Sequence, residues 1–153
     1  MNAFPGTVVT SSASLSSIKE QHGSVASYAE LAGRILMAVP FLLAGLGKLG
    51  AFGATAAYMS SVGVPGVLLP AVIATEVLGA LAIILGWKTR VVAFLLAGFC
   101  LLTALIFHRN FADQMQMINF LKNVSMAGGF LVLSAHGGGQ LSIDGRGIKS
   151  AKP

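Results

Sequence analysis

Glu76 is the only acid inside the apolar stretch from Pro65 to Gly86. Placing a carboxylate in a bilayer costs about 2.5–3.5 kcal/mol on insertion scales, so such residues face a partner or a cavity. Three cations near the ends of other apolar stretches can supply the partner: Lys48, His108 and Lys122. Asn119 and Asn123 flank Lys122 and add amide donors and acceptors. Glu76, Lys48 and His108 are therefore the candidate catalytic residues, and Lys122, Asn123 and Asn119 the candidate ligand-binding residues. The chemistry open to this set is proton exchange at Glu76 and hydrogen bonding of an acceptor oxygen by a neighbouring cation. Each residue also has a plainer reading. Lys48 and His108 read as interfacial anchors, and the asparagines as interhelical hydrogen bonds worth about 0.6–2 kcal/mol. A Glu76–Lys48 or Glu76–Lys122 pair can simply lock the fold.

Four apolar segments must position these groups. A span needs about 20 residues at a rise of 1.5 Å. The sequence supplies spans at about 30–52, 66–86, 91–108 and 117–135, which predicts an all-α, antiparallel four-helix membrane bundle. In the first span Glu30 and Arg34 stand i,i+4 and can pair, and Pro40 removes a mid-span hydrogen bond. Arg34, Ala38, Phe41, Gly45 and Lys48 lie along one helical stripe whose charged ends can snorkel to opposite interfaces. The connector 53–65 suggests a short interfacial helix near 54–60, ended by Gly63-Val64-Pro65. In the second span Ala71, Thr75 and Gly79 make a small-residue strip that permits close helix approach. Glu76 adjoins it, about 15 Å from either end by the helical rise. Residues 1–28, rich in Ser, read as a flexible tail, and residues 136–153, rich in Gly and basic, as another.

Composition agrees with this class. Hydrophobic residues make up 55% of the 153 residues and charged ones 10%, where soluble domains carry about 25% charged. Mean hydropathy is +0.81. The net charge of +5 does not point to nucleic acid, because the Lys and Arg residues flank apolar segments instead of interleaving with aromatics. Seven of them (Lys19, Arg34, Lys88, Arg90, Arg146, Lys149 and Lys152) fall on the side of the termini, against Lys48, Arg109 and Lys122 on the other. That asymmetry predicts cytoplasmic N and C termini. Cys100 is the single cysteine, so thiol redox chemistry within one chain is excluded. No Cys/His metal spacing occurs, Met115, Met117 and Met126 form no copper-type cluster, and Gly45-Leu-Gly-Lys48 lacks P-loop spacing. No metal is expected.

Ordered along the chain are Arg34, Ala44-Gly-Leu-Gly-Lys48, Gly63-Val-Pro65, Ala74-Thr-Glu76 with Gly79, Gly86-Trp-Lys-Thr-Arg90 and Phe107-His108. Phe120-Leu-Lys-Asn123, Gly128-Gly129 and Leu141-Ser-Ile-Asp144 follow. In this order and spacing, over about residues 29–146, the chain resembles the DoxX family of small four-helix bacterial inner-membrane proteins. The resemblance implies an inner-membrane protein of a kind often described as an oxidoreductase, with relatives linked to thiosulfate:quinone oxidoreduction or to a membrane redox complex. It implies no established catalytic residues, although Glu76, Lys48, His108 and Asn123 match recurring family positions. A quinone would be the implied cofactor, its oxygens bonded by Lys48, His108 or Lys122 while Glu76 exchanges a proton. With neither a cysteine pair nor a dinucleotide fingerprint, the chain would need a partner or bound cofactor for two-electron work. The alternatives are a non-enzymatic scaffold or assembly factor, and a small-solute or proton pathway formed by a homo-oligomer. Expected partners are the lipid bilayer and other membrane or redox-complex proteins.

Overall fold

The computed structural model describes residues 12–150, six α-helices joined by short turns. Helix α1 runs Ser12–Gly50, α2 Phe52–Ser61, α3 Leu69–Leu85, α4 Thr89–Phe107, α5 Gln114–His136 and α6 Ile143–Ser150, with a 3₁₀ turn, Gly66–Leu68, leading into α3. Four segments are long and apolar enough to span a bilayer: Gly23–Gly50, Gly66–Leu85, Thr89–Phe107 and Gln114–His136. Each lies within a few residues of its expected position, except that the first starts earlier.

That early start is the main departure. Composition predicts a flexible tail over residues 1–28, yet residues 12–28 continue α1 backward to Ser12. The Ser-rich segment contains no proline, and extending an already nucleated helix is far less costly than starting one. At 39 residues, α1 is about 58 Å long by its rise, nearly twice a hydrocarbon core of about 30 Å. Residues 143–150, also assigned to a flexible tail, form α6. Expectations for residues 1–11 and 151–153 lie outside the described residues.

The helix ends follow local chemistry. Gly86 stops α3 in the left-handed region (φ 70°), and Trp87 N–H returns to Ala82 O at 2.9 Å, a geometry that glycine adopts at little cost. Pro70 sits in the first turn of α3, where its missing N–H is not needed. Asp113 caps α5, its carboxylate accepting from Met115 N–H at 2.8 Å and Gln116 N–H at 3.3 Å. Helix α2 lies across the bundle end with Met59 buried and Tyr58 stacked near Phe107, centroids 5.9 Å apart.

In the core, α1 packs chiefly on α3 and α4 on α5, with α3 joining the two pairs. Alanines at 38, 80, 93, 97 and 127 let the backbones approach around Phe41, Leu96, Cys100 and Phe130. Phe41 and Phe130 meet edge to face at 5.3 Å. A second layer, Met59, Leu69 and Ile73 with Phe107 against it, closes the α2 end. The stripe on α1 is a buried face: Arg34, Ala38, Phe41 and Gly45 all point inward. Of the expected strip on α3 only Gly79 makes a close approach, to Leu96 of α4, where an added Cβ would lie 3.0 Å from Leu96 Cδ2; Ala71 and Thr75 are exposed. The Thr75 hydroxyl donates to its own helix at Ala71 O, 2.9 Å away. Close approach of α1 to α3 is made by Gly45, where an added Cβ would lie 2.7 Å from Val77 Cγ2 and 3.2 Å from Glu76 Cβ.

Candidate functional site

Glu76 sits midway along α3 on its buried face, in line with Leu69, Ile73, Ala80 and Ile83. Lys48 lies in the last turn of α1, one turn beyond Gly45. Because Gly45 has no side chain, α1 comes close enough to α3 for one ammonium to reach both carboxylate oxygens. Lys48 Nζ donates to Glu76 Oε1 and Oε2 at 2.8 Å each, the short range of charge-assisted bonds. Its further contact, to Ala44 O, is long at 3.5 Å. The Glu76 side chain is 7% exposed and that of Lys48 26%, so the pair is sealed on the acid side and open over the amine. It is the one ion pair among the described residues.

The other candidates stand elsewhere. His108 ends α4 and its Nδ1 meets Gln116 Oε1 at 2.8 Å, a bond between the ends of α4 and α5. Ile73 and Leu69 fill the α3 turns between Glu76 and that end, with Phe107 packed on them. His108 therefore does not join the pair. The Asn123 amide donates to Asn119 O, one turn back, at 3.0 Å, serving its own helix. Lys122 is exposed and lines an outward groove with Pro40, Ile118 and Leu121. Of the three cations proposed for Glu76, the close approach at Gly45 selects Lys48. Among the described residues no three His, Cys, Asp or Glu side chains are placed to hold a metal.

A second polar cluster occupies the opposite end of the bundle, around the α3–α4 turn. Arg34 is 1% exposed. It neither pairs with Glu30 nor snorkels, because its face of α1 meets the C-terminus of α3. Nη1 donates to Ile83 O and Ile84 O at 3.3 Å each, and Nη2 to Leu141 O. Carbonyls in the last turn of a helix lack i+4 N–H partners. Besides Arg34, Ile83 O accepts from Gly86 N–H at 3.2 Å, and a cation there also meets the negative end of the helix dipole. Arg34 Nε is buried with no partner among the described residues. Asp144 of α6 does the converse for α4, accepting from Lys88 N–H (2.9 Å), Thr89 N–H (2.8 Å) and the Thr89 hydroxyl (2.8 Å). Helix α4 has no cap of its own. Burial pushes the Asp144 carboxyl upward, but the Thr89 and Lys88 bonds, with the Arg34 charge, outweigh it and hold it below its ordinary value. Arg34, Gly86–Arg90 and Leu141–Asp144 were legible only as separate motifs, and the fold brings them into one cluster.

The DoxX family profile matches residues 29–109, which spans α1 from just before Glu30 through α4 and includes Lys48, Glu76 and His108. The chain belongs to the DoxX family. It is 48% identical over 114 residues to the inner membrane protein YqjF of Escherichia coli K12, covering 74% of this chain and 88% of YqjF. It is 42% identical over 123 residues to the inner membrane protein YphA of the same organism, covering 76% and 88% respectively. No solved structure matches. With four apolar spans, this DoxX-family chain is an integral, multi-pass inner-membrane protein.

Proposed function

We propose that this chain is a redox-associated membrane subunit whose Lys48–Glu76 pair is a protonatable, quinone-facing site. The observation that carries the reading is the buried pair itself, a carboxylate engaged on both oxygens by one ammonium that remains a quarter exposed. An arriving acceptor oxygen would meet Lys48 first, and its third N–H, committed only to the long Ala44 contact, can donate to it. Glu76 then holds or releases the proton that balances charge inside the bilayer. An apolar groove of about 340 Å³, lined by Leu49 of α1, Phe52 of α2 and Pro70, Ile73, Ala74 and Val77 of α3, suits an apolar ring or tail. A quinone would supply the two-electron chemistry, and a partner the electrons. The Lys and Arg asymmetry puts both termini in the cytoplasm and the pair in the outer half of the bundle.

The test is purification in mild detergent followed by mass spectrometry of bound quinones and co-purified proteins, wild type beside Glu76→Gln. Quinone retained by the wild type and lost from a well-folded variant supports the reading. A second reading, a non-enzymatic scaffold, draws on the full satisfaction of Glu76 by Lys48. Stoichiometric protein partners without any small molecule would favour it.

A further inference from the structure

At the Trp87 end, away from the Lys48–Glu76 pair, a cavity of about 790 Å³ opens between α1 and the ends of α4 and α5. That volume lies within the range of about 300–1,000 Å³ typical of small-molecule sites. Its charges are arranged unusually. Glu30 lines one wall, on α1, and Lys88 and Arg90 another, at the start of α4, yet they do not close into an ion pair. Asp144 also lines the cavity, its carboxylate taken up by Lys88 N–H, Thr89 N–H and the Thr89 hydroxyl.

Two of these charges are seated on one glycine loop. Arg90 donates from Nη2 to His136 O at 3.3 Å, and its Nε lies where a Cβ on Gly137 would come within 3.3 Å. The Glu30 carboxylate packs where a Cβ on Gly139 would sit. Gly137 and Gly139 both have positive φ, 88° and 74°, so side chains there would be strained as well as obstructive. Between them Gly138 is pinned, since a Cβ there would meet Thr89 Oγ1 at 2.6 Å. The loop thus holds a carboxylate and a guanidinium apart across one cavity. Lys88 adds a cation 5.4 Å from the centroid of the half-exposed Trp87 ring.

Val91 also lines the cavity. From it an exposed apolar track, Val91, Phe94 and Leu95, runs down the outer face of α4. Separated opposite charges at the end of a membrane helix, continuous with a lipid-facing track, fit a zwitterionic amphiphile. We propose that this cavity binds the headgroup of a phosphatidylethanolamine-type lipid. Lys88 and Arg90 take the phosphate, Glu30 accepts from the primary ammonium, and the acyl chains lie along Val91, Phe94 and Leu95.

The test is native mass spectrometry of the full chain in mild detergent. Phosphatidylethanolamine, phosphatidylcholine and phosphatidylglycerol of identical acyl chains are titrated in turn, with soluble glycerophosphoethanolamine as competitor. One phosphatidylethanolamine per chain should be retained, with at least a tenfold preference over the other two lipids. Glu30→Gln should bring that preference over phosphatidylcholine to within twofold, because the quaternary ammonium offers no N–H. Arg90→Gln should weaken all three lipids together by about tenfold, and Lys88→Gln, on a solvent-exposed side chain, gives the same readout if Arg90→Gln fails to fold. Equal retention of the three lipids overturns the proposal, as does a preference that survives Glu30→Gln. Displacement by equimolar glycerophosphoethanolamine also overturns it, by making the ligand a free phosphoester.

Discussion

Gly45 is where packing and the polar pair meet, and it permits a prediction with an internal control. In Gly45→Ala the new Cβ lies 2.7 Å from Val77 Cγ2, 3.2 Å from Glu76 Cβ and 3.4 Å from Val77 N. Carbon pairs prefer about 3.5–4.0 Å. Val77 cannot simply rotate away, because a β-branched side chain in a helix has one strongly preferred rotamer, and Glu76 Cβ moves only with its backbone. Helices α1 and α3 must therefore separate by about 0.3–0.8 Å at this level, and such overpacking costs about 1–3 kcal/mol. Gly47 lies two residues on, with nothing within 4 Å of its own added Cβ. Both substitutions gain the same helix propensity, about 1 kcal/mol in water, so their difference isolates the steric cost. At about 2–4 °C per kcal/mol, Gly45→Ala should melt about 2–12 °C below Gly47→Ala in the same detergent. The same separation stretches the 2.8 Å Lys48–Glu76 bonds toward about 3.1–3.6 Å, outside the charge-assisted range. Combining Gly45→Ala with Lys48→Met should then cost less than the sum of the two. Gly45→Ala melting at or above Gly47→Ala would refute the close-approach argument.

Lys48→Met leaves a nearly sealed carboxylate without its partner and should cost about 3 kcal/mol, the low end for a broken buried pair because Lys48 is partly solvated. The double variant Lys48→Met/Glu76→Met should return to within about 1 kcal/mol of wild type by thermal unfolding, and a double variant as unstable as the single contradicts this. Arg34→Lys should fail to replace Arg34, since one ammonium cannot reproduce the planar fork that reaches three carbonyls. Cleavage by added protease in the 137–146 segment should rise at least tenfold, and an unchanged rate would count against the clamp. Asp144 gives the pH dependence. Its folded pKa is lowered, so its stabilising contribution is complete above the unfolded value of about 3.9 and is lost as pH falls through the folded value. Fluorescence of Trp87, the sole tryptophan, should report α6 undocking below about pH 4, and Asp144→Asn should abolish that transition.

The fold was legible because hydropathy and length locate spans well: the four helices lie where four apolar runs lie, bounded by Gly86 and by the polar segment at 109–116. The partner of Glu76 is legible from the sequence only as a choice among Lys48, His108 and Lys122. Helix rotation decides it, and rotation follows from Gly45, whose importance depends on a helix that hydropathy cannot position. The Ala71–Thr75–Gly79 strip divides for the same reason: Gly79 meets Leu96 of α4, while Ala71 and Thr75 lie on an exposed face, and spacing alone does not say which helix a small residue meets. Arg34 was assigned to its nearest sequence neighbour, Glu30, by a local rule. Its actual acceptors are carbonyls 49, 50 and 107 residues away, and backbone acceptors carry no side-chain signature. Helix α6 was hidden because the Gly-rich stretch before it resembles a flexible tail, while its anchor, Asp144, is a single residue whose value lies in two distant N–H groups.

The two polar clusters solve the burial of charge in different ways, and the difference has a mechanical consequence. At the Trp87 end, a cation meets the C-terminus of α3 and an anion the N-terminus of α4 across a turn of three residues. Each arrangement follows the sign of the helix dipole and is worth about 0.3–2 kcal/mol. Together they tie α1, α3, α4 and α6 at one level. The Lys48–Glu76 pair joins α1 and α3, and among the described residues no third helix shares its charge. A proton taken up by Glu76, or an acceptor that competes for Lys48, therefore loosens one helix pair, while the opposite end stays fixed as a pivot. Glu76→Gln should change α1–α3 proximity, read by paired spin labels near the α2 end, and leave Trp87 fluorescence unaltered. Arg34→Lys should do the reverse. If both variants shift both reporters together, the bundle responds as a single cooperative body and the separation of the two ends is wrong.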